Sequence, residues 1–109
     1  MTVELPQPIS DYFAADAESG ADAVALCFTD HAVVRDEGET HVGRGAIRSW
    51  KIGAGKKYTY TVTPFAIARD SDPTVVTAHL EGNFPGSPVD LRYIFELRGE
   101  KIAALEIIT

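Results

Sequence analysis

Apolar positions along this chain keep two different rhythms. In three stretches before residue 53 they recur at spacings of three and four, and from Tyr58 onward they alternate with polar neighbours, so the pattern predicts helices in the first half and a run of strands in the second. Ile9, Tyr12 and Phe13 form a stripe over Pro8–Glu18, with Pro8 suited to a first helical turn and Gly20 placed as a stop. Ala23, Val24, Cys27 and Phe28 form a second stripe over Asp22–Phe28, so the two segments predict a helical hairpin. HAVVRD, the turn-like EGE and THV then read as a small β-hairpin. A third helix is expected over Ala46–Ile52, with Ile47 and Trp50 on one face, Gly43 and Gly45 in front and Gly53 and Gly55 as its end.

The second rhythm fills four segments, YTYTVTPFAIA, TVVTAHLEGNF, VDLRYIFEL and KIAALEII, separated by the turn compositions DSDP, PGSP and RGE. Short links between sequential strands predict an antiparallel meander. Tyr58, Tyr60 and Val62 share a face, but beyond Pro64 the large apolar groups are Phe65 and Ile67, a change of phase that a bulge at Pro64 would produce. Val76, Ala78, Leu80, Gly82 and Phe84 make an apolar face with small residues in its middle, which leaves room above the sheet; Val89, Leu91, Tyr93, Phe95 and Leu97 make the next. The expected fold class is α+β: three N-terminal helices packed on the concave face of a curved, mostly antiparallel sheet that encloses a pocket. Residues 1–109 read as a single domain, without internal repeat, low-complexity segment or linker.

Composition narrows the partners. Sixteen acidic against ten basic side chains give a net charge of −6, which repels a phosphate backbone and argues against nucleic acid. The nearest basic grouping, Arg44, Arg48, Lys51, Lys56 and Lys57, reads as a solvated face. No apolar run approaches the ~20 residues that span a bilayer, and MTVELPQPISD has neither a basic leader nor an apolar stretch, so no membrane partner and a cytoplasmic location are expected. The single cysteine, Cys27, lies in the apolar run AVALCF and reads as a small buried hydrophobe; with three histidines it falls short of a structural zinc set, so no metal is expected. His31 and His41 lie near turns and read as solvated, and His79 falls on the outer sheet face.

The order helix, helix, short hairpin, helix and long bent meander resembles that of the nuclear-transport-factor-2-like (NTF2-like, cystatin-like) superfamily over nearly the whole chain. ADAVALCFTDHAVVRD is similar to that superfamily's passage from helix to strand, GRGAIRSW to its Gly-x-x-Ala-Ile helix start, and LRGEKIAALEI to its terminal hairpin. Within it the chain resembles the ketosteroid isomerases and the SnoaL-like polyketide cyclases. YFAAD puts Tyr12 where those isomerases carry a catalytic tyrosine, and AVVRD puts Asp36 where they carry a basic aspartate; RYIFEL departs, with Tyr93 where they carry a protonated aspartate. The sequence stops at Thr109, where those enzymes continue into a tail that closes the steroid pocket, so a smaller or different ligand is expected. The resemblance implies an isomerase, cyclase or dehydratase that needs no cofactor and acts on a small apolar carbonyl compound. It also implies a homodimer through the outer sheet face, near His79, Glu81 and Arg92.

On that reading Asp36 is a general base that removes a proton next to a carbonyl, and Tyr12 and Tyr93 donate hydrogen bonds to the developing enolate oxygen. Phe13, Phe28, Trp50, Leu80, Phe84 and Phe95 are the expected apolar walls. The plainer alternatives stay open: Asp36 before Glu37 and Gly38 can be a turn residue bonded to its own backbone, Tyr12 a core aromatic, and Tyr93 sheet packing. The whole chain can then be a noncatalytic ligand-binding or dimerisation module. An epoxide hydrolase of the limonene type would need a second inward carboxylate, and the sequence pattern offers none.

Overall fold

The computed structural model describes residues 4–68 and 73–109, with backbone alone at 18–19 and 54–57. Pro6 opens α1 (Gln7–Ala14): its carbonyl accepts the N–H groups of Ile9 and Ser10 at 3.0 and 2.9 Å. The helix then widens into a π turn, Ala15–Ser19, closed by the Gly20 N–H donating to the Ala15 carbonyl at 3.0 Å. The expected helix over Pro8–Glu18 is therefore one stretch of two geometries, the second a rare one that often marks functional sites. After α2 (Ala21–Leu26), Phe28 opens strand β1 (Phe28–Asp36) instead of ending the helix. Strand β2 (Glu39–Val42) returns antiparallel, and α3 (Arg44–Lys57) follows. That helix passes through the stop expected at Gly53, because a helical glycine costs only about 1 kcal/mol relative to alanine when the turns around it hold.

Strands β3 (Tyr60–Ala68), β4 (Thr74–Gly82), β5 (Val89–Arg98) and β6 (Lys101–Ile108) form the meander. Among the described residues the sheet has six strands in the order β2-β1-β6-β5-β4-β3, antiparallel throughout except where β1 runs parallel to β6. The bulge expected at Pro64 is present: Pro64 pairs with Ala78 and Ala66 with Thr77, which leaves Phe65 unmatched and 48% exposed. The DSDP turn lies outside the described residues apart from Pro73, as do the side chains of Lys56 and Lys57.

Helices cover one face of the sheet, where Ile9 and Tyr12 of α1, Ile47 of α3, Phe28 and Val34 of β1 and Phe95 of β5 are wholly buried. Each large side chain among them contributes about 2–3 kcal/mol through area removed from water. On the opposite face His79 is held between Asp90 at 2.8 Å and Glu81 at 3.3 Å, and those two hydrogen bonds raise its pKa above the ordinary 6.5. Cys27 is half-buried, not enclosed; its thiol donates to the Ala23 carbonyl at 3.5 Å, and burial pushes its pKa up. No helix among the described residues is long and apolar enough to cross a membrane.

Candidate active site

A two-residue turn sets the position of Asp36. Glu37 and Gly38 both take positive φ, 53° and 78°, the geometry whose twist matches a tight hairpin, and Asp36 pairs with Glu39 across it. Side chains two apart on a strand share a face, so Asp36 points the same way as the buried Val34 and, across the hairpin, as His41. Helix α3 crosses that face. Its start is tied down by Arg44, which donates to the Phe28 carbonyl at 2.9 Å and pairs with Asp30 at 2.6 Å, and by the buried Ile47; Arg48 pairs with Asp22 on α2. So anchored, α3 brings Trp50 over the hairpin, and the indole Nε1–H donates to Asp36 Oδ2 at 3.0 Å. Among the described residues this is the one side-chain hydrogen bond of Asp36; the carboxylate does not close on its own turn.

Asp36 and Trp50 stand on the wall of a cleft of about 710 Å³, open at one side. Leu80, Phe84, Val89, Leu91 and Tyr93 give it an apolar floor, and Tyr58 and Tyr60 flank its mouth, with the Phe84 ring 6.3 and 6.1 Å from theirs. Glu37, Glu39 and His41 line the rim. His41 is half-buried, contrary to the expectation of a solvated residue: its ring lies 5.9 Å from that of Trp50, and its enclosed Nε2 has no hydrogen-bond partner among the described residues.

Lys51, the residue after Trp50, also lines the cleft. Its side chain is only 8% exposed and its ammonium pairs at 2.9 Å with Asp16, itself 17% exposed, which the π turn carries. The same ammonium lies 4.3 Å from the Trp50 ring centroid and 5.3 Å from that of Tyr12. Two expectations fall here. Lys51 does not belong to a solvated basic face, and Asp16 is an inward carboxylate the sequence pattern did not offer. A readable signal existed: Asp16 follows Tyr12 by four positions, the spacing that puts two residues on one helical face.

Of the site residues expected from sequence, Asp36, Tyr93, Trp50, Leu80 and Phe84 line the cleft together. Tyr12, Phe13, Phe28 and Phe95 do not. They form an aromatic cluster behind the wall: the Tyr12 ring meets those of Phe13, Phe28 and Phe95 edge-on at 5.1, 5.9 and 5.7 Å, and Phe13 packs on Tyr93 at 5.2 Å. The reason is volume, since these four large rings pack on one another and leave no space between them for solvent. The Tyr12 hydroxyl is enclosed without a hydrogen-bond partner among the described residues. Burial foremost, then the nearby charge of Asp16, pushes its pKa well up. Tyr93 bridges cluster and cleft, and burial raises its pKa strongly as well. Tyr60 and Leu91 are cleft residues that the sequence reading placed on the right strand faces without assigning them to the site.

The SnoaL-like domain model matches residues 9–105. Among solved structures, a "putative polyketide cyclase" from Sinorhizobium meliloti is 42% identical, with 94% of each chain covered and a TM-score of 0.89. A hypothetical protein from Catenulispora acidiphila with a ketosteroid isomerase-like fold, solved in complex with trimethylamine, is 22% identical over 97% of this chain and 87% of that one, with a TM-score of 0.85. The epoxide hydrolase/cyclase-like enzyme SalBIII, which has a role in pyran ring formation in the polyether salinomycin, is 20% identical over 93% of this chain and 86% of its own, with a TM-score of 0.79; at that identity it shows the shared fold alone. Among curated proteins none matches this chain.

Proposed function

This chain belongs to the SnoaL-like domain family, and on that premise we propose that its cleft is the active site of a small-molecule enzyme, an isomerase, cyclase or dehydratase that moves a proton next to the carbonyl of an apolar substrate. One observation carries the reading: the Asp36 carboxylate is held by the Trp50 indole on the wall of an apolar cleft, with one oxygen free of side-chain partners among the described residues. A base so placed removes a proton from carbon, and the indole N–H fixes its orientation. Tyr93 is the phenol that faces the same cleft and can donate to the oxygen that becomes negative. Tyr12, its hydroxyl enclosed behind the wall, supports Tyr93 through ring packing, with centroids 6.5 Å apart.

The test needs no knowledge of the natural substrate. Apolar cyclic ketones incubated with the protein in heavy water should gain deuterium at the carbon next to the carbonyl, read by mass spectrometry, and Asp36→Asn should slow that exchange by about a hundredfold or more. Exchange that proceeds equally in Asp36→Asn removes Asp36 as the base. The reading includes a second copy of the chain on the outer sheet face around His79, Glu81 and Arg92; sedimentation that finds only monomer at micromolar concentration removes that part.

A further inference from the structure

The Lys51–Asp16 pair has no role in the mechanism just proposed, yet it lies at the cleft. Lys51 is the one Lys or Arg side chain among the described residues that line this space, and among the described residues Asp16 is the one ion-pair partner of its ammonium. An ammonium has three N–H donors, so two remain for something else. The residue is not there to balance the rim: Asp36, Glu37 and Glu39 already make the lining acidic, and Asp16 already compensates Lys51. What the arrangement provides is a cation held by a carboxylate behind it and an indole beside it, next in sequence to the tryptophan that holds Asp36. Helix α3 therefore carries the partner of the carboxylate and the cation on consecutive residues.

We propose that Lys51 is a second oxyanion-binding group of this cleft, beside the Tyr93 hydroxyl, and that the ligands it takes are neutral molecules bearing an oxygen that becomes negative in place, an enolisable ketone or a phenol. The proposal rests on the proton-transfer reading of Asp36 for its catalytic meaning. As the C–H bond breaks, its proton passes to an Asp36 oxygen, the bonding pair becomes the C=C bond, and the carbonyl π pair moves onto oxygen. The net charge of the cleft is unchanged, but its negative centre moves from Asp36 to the substrate oxygen. A fixed cation beside that oxygen attracts it more in the transition state than before, which is the condition for catalysis and not merely for binding. An anion present from the start would meet Asp36, Glu37 and Glu39, so the neutral precursor is the species that enters. Asp16 is a positioning residue in this scheme, since it acts only through Lys51.

The probe is 4-nitrophenol, whose ionised and neutral forms differ in visible absorbance, with 4-nitroanisole as the matched compound that cannot ionise. Bound to the wild-type protein, nitrophenol should ionise at least about one pH unit, a tenfold ratio, below its midpoint on folded Lys51→Met; Lys51→Arg should restore most of that difference. Asp16→Asn should lower the midpoint of the bound probe, because it removes the carboxylate that offsets the cation, a direction that a packing role for Asp16 would not produce. Should Lys51→Met fail to fold, the Arg and Asp16→Asn variants decide the question by those directions. Equal midpoints in wild type and Lys51→Met, an Asp16→Asn midpoint that does not fall, or nitrophenol that binds no better than nitroanisole at any pH each overturns the proposal. Asp36→Asn separates the two readings: unchanged deuterium exchange in that variant beside a Lys51-dependent nitrophenol midpoint refutes the base and leaves the oxyanion site standing.

Discussion

Removing the Asp16 carboxylate should destabilise the fold through the charge it leaves behind. In Asp16→Ala the Lys51 ammonium, on a side chain 8% exposed, keeps its place between two aromatic rings and loses its counter-ion. Breaking a buried pair from one side costs about 3–5 kcal/mol, of which the indole and phenol faces offset about 1 kcal/mol; the open cleft lets water reach the ammonium and trims the cost further. The expected loss is about 2–3 kcal/mol. With a urea slope of roughly 1–2 kcal/mol per molar for a chain of this size, the unfolding midpoint falls by about 1–3 M. Trp50 is the only tryptophan and touches the ammonium, so its fluorescence, checked against far-ultraviolet circular dichroism, reports the transition. The double variant Asp16→Ala/Lys51→Met places no bare charge in the wall and should recover most of the loss, giving a coupling of about 2 kcal/mol. A stability for Asp16→Ala within about 0.5 kcal/mol of wild type, or strict additivity in the double variant, refutes the claim that this pair is a mutually dependent part of the wall.

Gly82 on β4 lies tight against β3: a Cβ there would sit 2.6 Å from Tyr60 Cα and closer still to the Thr59 carbonyl. Gly82→Ala should therefore cost about 2 kcal/mol, a fall of about 10 °C in Tm by differential scanning fluorimetry, and an unchanged Tm would show that β3 yields freely there. Alkaline stability follows from the buried phenols. Burial raises the pKa of both Tyr12 and Tyr93 above the ordinary 10.0, so folding favours their neutral forms; the stability they contribute is complete below pH 10 and is lost as pH rises beyond it. Tyrosinate absorbance from these two should rise only with loss of circular dichroism, and full ionisation of all four tyrosines in a still-folded protein contradicts the placement.

The sheet and its bend were readable because strand alternation has a period of two, and a single slip in phase at Pro64 marks an extra residue wherever it occurs. Trp50, Leu80 and Phe84 were readable for the same reason, since each sits on an inward phase of its own element, whereas Asp36 and Tyr93 were singled out by the family resemblance; the five line one cleft. Periodicity fails for the ion pair because it sorts residues by polarity and sends every lysine and aspartate outward by default. Asp16 and Lys51 are inward only because each neutralises the other across thirty-five positions, and a pairing at that distance leaves no local trace. The π turn was hidden in the same way, since its residues, ADAES, are ordinary helix formers and the wide geometry is set by tertiary context.

Tyr93 divides the aromatic residues into two sets with different duties. On one side Tyr12, Phe28 and Phe95 are wholly buried, with the Tyr12 ring edge-on to the other two, so their interaction is with one another and is felt as cohesion of the core. On the other, Trp50, Tyr58, Tyr60 and Phe84 keep part of each ring toward the cleft, and each carries either a polar edge or a neighbour that does. A residue that belongs to both sets transmits the rigidity of the first to the geometry of the second. The hydroxyl of Tyr93 is held where it is because Phe13 packs against its ring from behind and Phe95 stacks beside it at 6.3 Å, planes 14° apart. Phe13, Phe28 and Phe95, which sequence reasoning assigned to the pocket wall, therefore act one layer deeper and brace that wall, whereas Trp50 and Phe84 line it as expected; in the proposed reaction, with Tyr93 as a donor, that bracing is what keeps its hydroxyl at a fixed point.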